Sequence, residues 1–179
     1  LKKIEVIREG VGSKDLPNIY LLHGDLDDSD MNDLYNHPKV KAFVTFTKGE
    51  GYGRPLAEFC LSKKPVIASG WSGQIDFLSK EFSVLLPGTL TPVHPSAQSA
   101  NLILPESLWF TLDYGAASKA LEDVFQNYKK YEEGAKRQGH KIKTEFSYDS
   151  MVLFLSSYLN KYLPKPVEFK LPQLKKISI

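Results

Sequence analysis

The chain has 179 residues, 42% of them hydrophobic and 25% charged, with a net charge of +2. That length is enough to bury a core in one domain, and the composition is that of an ordinary soluble globular protein. The near-neutral charge argues against nucleic acid as a partner, no apolar run approaches the roughly 20 residues of a membrane helix, and a lone cysteine, Cys60, excludes an internal disulfide framework.

One cysteine fits a reducing compartment, so a cytoplasmic location is expected. Residues 1–10 contain no apolar h-region, and no signal peptide is expected. A strand-like Ile4-Glu5-Val6-Ile7 follows the first residue closely, which suggests a piece of a larger protein.

Two periodicities then alternate along the chain. Ile19-Tyr20-Leu21-Leu22, bounded by Pro17-Asn18 and His23-Gly24, reads as a buried strand. The acidic stretch 25–33 lacks the Gly and closing Glu of a calcium loop and reads as a helix start, with Ser29 or Asp30 as N-cap and an end near Asn36. Residues 40–46 form the next strand, 49–53 a glycine loop, and Pro55 a first helical position with Leu56, Phe59 and Cys60 on one face. Lys63 and Lys64 would close that helix. Pro65-Val66-Ile67-Ala68-Ser69 is a third strand, and 72–79 a short helix. Residues 87–106, rich in Pro, Ser and Thr, read as a long surface loop. Residues 109–112 are extended and 113–131 helical, with Ala117, Ala120, Leu121, Val124 and Phe125 inward. Helices over 132–143 and 148–163 follow, the last with Val152, Leu155 and Leu159 inward. The expected fold is therefore α/β, a Rossmann-like parallel sheet with helices on both faces and a helical C-terminus. Residues 1–163 form the domain and 164–179 an arm or tail.

The stretch with chemical content is Thr47-Lys48-Gly49-Glu50-Gly51-Tyr52-Gly53-Arg54-Pro55-Leu56-Ala57-Glu58. In a parallel sheet, ligands bind outside the carboxyl ends of the strands, where this loop lies. Its glycines admit a phosphate close to the backbone, and the helix opening at Pro55 would aim free N–H groups at it. Glu58, in the first helical turn, suits a vicinal diol, and Glu50 is offset towards whatever follows the phosphates. That geometry describes a nucleotide carrying a sugar, and His23, at a strand end, is a further candidate for contact with the sugar, equally readable as structural. Trp71 and Tyr52 either line the sugar pocket or pack at its rim. Cys60 reads as core. The glycines do not make a dinucleotide fingerprint, because Gly49-x-Gly51-x-x-Arg54 lacks the third glycine.

Glu50 and Glu58, separated by Gly-Tyr-Gly-Arg-Pro-Leu-Ala, resemble the Glu-x7-Glu signature of retaining GT-B type glycosyltransferases, most closely the group-1 family (glycosyltransferase family 4). Pro65-Val66-Ile67-Ala68-Ser69 followed by Ser72-Gly73-x-x-Asp76 is similar to that family's Pro-Val-Ile-Ala-Ser and Gly-Gly-x-x-Glu, and Phe146-Ser147-Tyr148 to its late Phe-Ser-Trp. The resemblance spans residues 19–159. It implies one half of a GT-B fold that binds a UDP- or GDP-sugar, with Glu50 at the donor sugar as the catalytic position. It further implies Glu58 on the ribose hydroxyls, and Gly51, Tyr52 and Gly53 giving N–H groups to sugar or diphosphate, with Ser72 and Gly73 at the neighbouring turn. No metal or cofactor is implied, since protein cations and dipoles balance the diphosphate.

The family's Arg and Lys for that diphosphate lie ahead of this sequence, leaving Arg54 or Lys48 as substitutes. Ser72 stands where the family has glycine. The acceptor-binding N-terminal domain would be a missing partner, any peripheral membrane contact would run through that absent half, and the acceptor is unknown. Two other readings stand beside the transferase: a non-catalytic nucleotide-sugar-binding module, and a related GT-B epimerase or phosphorylase.

Overall fold

The computed structural model describes residues 2–12, 16–99 and 102–164. The chain divides into two compact units, residues 1–34 and 35–179.

The first unit departs from the sequence reading. Residues expected as a strand around Ile4 form helix α1 (Lys2–Val11), none of whose residues is buried. Ile4, Ile7 and Val11 recur at helical spacing, a pattern their β-branched character concealed. Ile19 to Leu22 form no strand, and all four are more than half exposed. An apolar run becomes a strand only when another strand accepts its backbone groups, and among the described residues none does. Helix α2 (Asp28–Asn36) forms as expected but two or three residues early, because the Asp27 carboxylate accepts from the Asp30 N–H at 2.8 Å and serves as the cap.

The second unit is mixed α/β around a three-stranded parallel sheet, ordered β1 (Phe43–Thr45), β2 (Val66–Ser69), β3 (Val84–Leu86). Val44 pairs with Ile67 and Ile67 with Val84. All four residues of β2 are buried, so the central strand is covered on both faces. Between β1 and β2 runs α3 (Arg54–Cys60), which packs on β2 through a buried face of Leu56, Ala57, Phe59 and Cys60. Burial pushes the Cys60 thiol up to about 12, so it is a protonated core side chain.

Lys64 does not close its own helix. It follows a left-handed Lys63 (φ 59°), and its ammonium donates to the carbonyls of Tyr35 (2.6 Å) and His37 (2.8 Å), capping the end of α2.

Residues 87–106 are not a plain loop. β4 (Gly88–Pro92) pairs antiparallel with β5 (Leu108–Leu112), and Thr91 and Thr111 hydroxyls meet at 2.6 Å across the pair. A Cβ at Gly88 would overlap the Thr111 carbonyl, which is why glycine opens the hairpin.

Three helices complete the unit: α4 (Tyr114–Gln126), α5 (Tyr128–Glu145) and α6 (Tyr148–Tyr162). The α4–α5 break falls at Asn127, not after Tyr131. There the Asp123 carboxylate accepts from the Asn127 amide (2.6 Å) and from the Tyr131 hydroxyl, and these bonds hold its pKa down. Ala117 and Val124 of α4 are buried with Ile67, Leu86, Phe110 and Leu112, and Ala120 packs against them. Leu121 and Phe125, expected inward, turn 60° or more off that line at about 100° per residue and are exposed. Val152, Leu155 and Leu159 of α6 are likewise exposed, correcting the inward stripe expected there. Gln138 on α5 is buried and locks the helix to the β2–β3 connection. It accepts from the Ser79 N–H (3.0 Å) and the Ser83 hydroxyl (3.3 Å), and donates to the Phe77 carbonyl (2.8 Å). Residues 165–179, most of the expected tail, lie outside the described residues.

Candidate functional site

Parallel pairing brings the carboxyl ends of β1, β2 and β3 to one edge, so the loops after β1 and β2 are neighbours. Three hydrogen bonds join them. The Ser72 hydroxyl donates to the Glu50 carbonyl at 2.7 Å and accepts from the Glu50 N–H at 3.2 Å, while the Gly73 N–H donates to the same carbonyl at 3.0 Å. Glu50 is thus held by its main chain, with its side chain half-buried. Behind this junction the Ser69 hydroxyl donates to the Thr47 carbonyl (3.1 Å), and the Gln74 amide donates to the Ser69 carbonyl (3.0 Å) and hydroxyl (2.8 Å).

The glycines divide by what they serve. A Cβ at Gly73 would overlap the Gly51 carbonyl and lie within 2.9 Å of the Glu50 carbonyl, so the loops meet this closely only because residue 73 has no side chain. Gly53 adopts φ 89° at the N-cap of α3, a left-handed conformation that favours glycine. At Gly51 a Cβ would meet nothing within 4 Å, so nothing in the protein itself calls for glycine there.

Helix α3 presents fewer free donors than its sequence suggests. Pro55 has no N–H, and the N–H groups of Leu56 and Ala57 are both bonded to the Gly53 carbonyl. Glu58 lies in the second turn of this seven-residue helix, not the first. Its Oε1 is 3.1 Å from Nε of Arg54, an i,i+4 pair whose side chains are 45% and 81% exposed. Such a solvated pair is worth about 0.5 kcal/mol or less, weak enough for a ligand to displace. Burial raises the pKa of Tyr35, and the Glu58 carboxylate raises it further against Arg54. Tyr52 rests on Phe77 with ring centroids 4.9 Å apart; burial raises its pKa, reinforced by Cys60 and Asp76.

The second unit therefore brings together Glu50, Gly51, Tyr52, Gly53, Arg54, Glu58, Ser72 and Gly73, on two adjoining loops and the helix that follows the first. His23 belongs to the first unit and is exposed, and the strand whose end argued for it does not form. Lys48 is exposed in the loop after β1 and forms no ion pair among the described residues.

The late Phe-Ser-Tyr segment has a structural explanation. Phe146 meets Phe77 edge-on at 6.2 Å, and the Ser147 hydroxyl caps α6 by accepting from the Ser150 N–H at 3.2 Å. The sequence reading missed Gln74, a fully buried amide supporting the β2 loop; only its place after a strand and a glycine turn marks it. Concavities of about 380 and 490 Å³ flank Phe82 along α5, with Lys80, Lys130, Arg137 and Lys141 among their walls. They adjoin Ser83, where the chain enters β3, at the opposite edge of the sheet from the Glu50 loop.

Searched against models of protein families and against curated proteins, the chain matches none.

Proposed function

We propose that this chain is the donor-binding half of a retaining glycosyltransferase, a Rossmann-like domain of GT-B type that takes a UDP- or GDP-sugar. The observation that carries the proposal is the Glu50–Glu58 segment: one carboxylate pinned by its main chain at the carboxyl edge of a parallel sheet, the other exposed on the helix that follows. In this reading Glu58 releases Arg54 and accepts from the two ribose hydroxyls, a diol that a carboxylate matches with both oxygens. The freed Arg54 and Lys48 face the diphosphate. Gly51 lets the backbone approach it, and Glu50 acts at the donor sugar as it is transferred with retention. The acceptor-binding partner domain completes the cleft.

A non-catalytic nucleotide-sugar-binding module is the second reading. What favours it is that Arg54, which directly follows the glycine loop, is already engaged by Glu58.

Calorimetric titration with UDP, GDP, UDP-glucose and GDP-mannose tests the donor site. Saturable binding of one nucleotide is expected, about tenfold weaker in Glu58→Ala, the loss of one charge-assisted interaction. Gly51→Ala should leave the melting temperature unchanged, because its Cβ meets open space, yet weaken nucleotide binding. Absence of binding to all four compounds, or equal binding by Glu58→Ala, would sink the proposal. Release of free nucleotide from the bound sugar, with an acceptor present, separates transferase from module.

A further inference from the structure

Helix α6 is amphipathic, and its apolar side faces solvent. Its first turn is tied down: the Ser147 hydroxyl accepts from the Ser150 N–H at 3.2 Å, and the Ser150 hydroxyl donates to the Thr144 carbonyl at 2.5 Å. From Met151 to Tyr162 every residue is exposed. Tyr148, Val152, Leu155, Leu159 and Tyr162 alternate in steps of four and three residues, with Met151 and Tyr158 beside them, so an apolar stripe runs the length of the helix. Asp149, Ser156, Ser157, Asn160 and Lys161 lie on the other side at about 100° per residue. An isolated helix of this length is marginal in water, and α6 buries no residue of its own against the second unit.

Three properties of the stripe identify a second copy of the chain as what covers it. The first is area. Tyr148, Phe154, Tyr158 and Tyr162 are between 52% and 75% exposed. At about 200 Å² per ring they present about 500 Å². The exposed aliphatic side chains of Met151, Val152, Leu155 and Leu159 bring the face close to the roughly 800 Å² that each partner contributes to a stable pair.

The second is self-complementarity. Tyr148 and Tyr162 stand seven residues before and after Leu155, and Met151 and Leu159 four before and after, so the stripe reads nearly alike in both directions. A twofold interface requires one patch to match itself in this way. The third is preorganisation: Tyr158 packs on Tyr162 with ring centroids 4.5 Å apart and on Phe154 at 6.3 Å, so the rings lose little rotamer freedom on docking.

We propose that the chain forms a homodimer through α6. Two copies pack antiparallel with Leu155 on the twofold axis, Tyr148 against the partner's Tyr162 and Met151 against the partner's Leu159. The attachment of α6 sets the direction. The helix joins the rest of its unit at the N-terminal end, and packed helices lie only about 8–10 Å apart. Parallel pairing would crowd both units at one end, whereas antiparallel pairing puts them at opposite ends. The pairing engages no residue of the proposed donor site, so either can fail without the other.

Sedimentation equilibrium of the full chain is the first test, and a species of twice the chain mass is expected. Leu155→Glu should weaken the dimer at least about a hundredfold, because it sets two carboxylates against each other on the axis. The melting temperature of the monomer should hold, since residue 155 is exposed within its own chain. Cross-linking under oxidation tests the direction. Cys60 is buried with a protonated thiol, so an introduced cysteine reacts alone. Leu155→Cys should form a disulfide-linked dimer. Tyr148→Cys and Tyr162→Cys should each stay unlinked alone and cross-link when mixed. A monomeric wild type, or a dimer that Leu155→Glu leaves intact, overturns the proposal. Cross-linking of Tyr148→Cys to itself overturns the antiparallel arrangement in favour of a parallel one.

Discussion

Ser72 holds φ 70° and ψ −160°, a region that only glycine enters without strain, at a position where the resembled family carries glycine. Strain of this kind costs about 1–3 kcal/mol. The same side chain forms both hydroxyl bonds to Glu50, and these offset the strain while fixing the loop. The two effects separate by substitution. Ser72→Ala keeps the strain and loses the bonds, and should lower stability by about 2 kcal/mol; Ser72→Gly loses both and should stay within about 1 kcal/mol of wild type. Urea unfolding of the two variants checks the order, and the reverse order would deny that the hydroxyl compensates the backbone. The sequence marked residue 72 as unusual only through the family resemblance, since φ is set by what a turn must bridge.

Among the elements, α5 shows how far a helix can be legible while its role is not. Its amphipathic period announces a helix, and the start was misjudged by four residues because Asn127, an unremarkable residue in sequence, ends α4 through its bond to Asp123. Gln138 gives no signal at all in a polar, lysine-rich segment, yet it is 1% exposed and bonded to three groups of the β2–β3 connection. Gln138→Leu fills similar space but leaves the Ser79 N–H and the Phe77 carbonyl without their partner. It should lower the free energy of unfolding by about 2–4 kcal/mol, measured by urea denaturation. A loss under 0.5 kcal/mol would mean that water replaces the amide and that α5 is held by its apolar face alone. The β4 strand was invisible for a related reason: Thr89-Leu90-Thr91 is too short to stand out, and its partner lies beyond an intervening stretch of 15 residues.

At the level of the whole molecule, residues 1–34 and 35–179 are distinct compact units, and the first contributes no fully buried side chain among the described residues. A chain lacking residues 1–24, which keeps the Asp27 cap of α2, should unfold with a urea midpoint close to that of the full chain. A fall of more than about 1 M would show that the missing residues stabilise the sheet. Among the described residues no helix is long and apolar enough to cross a membrane. The sequence alone determined what depends on near neighbours: the strand at β2 flanked by its turns, the glycine loop, the apolar face of α3, the starts of α4 near residue 113 and of α6 at Tyr148, and Cys60 in the core. Tertiary structure alone decided what needs a distant partner. It denied Ile19–Leu22 a strand, sent Lys64 to cap α2, paired β4 with β5, and set Trp71 on Phe110. Local signals fix periodicity and capping because those interactions span four residues or fewer; pairing and stacking join residues dozens of positions apart, whose meeting only the closed chain determines.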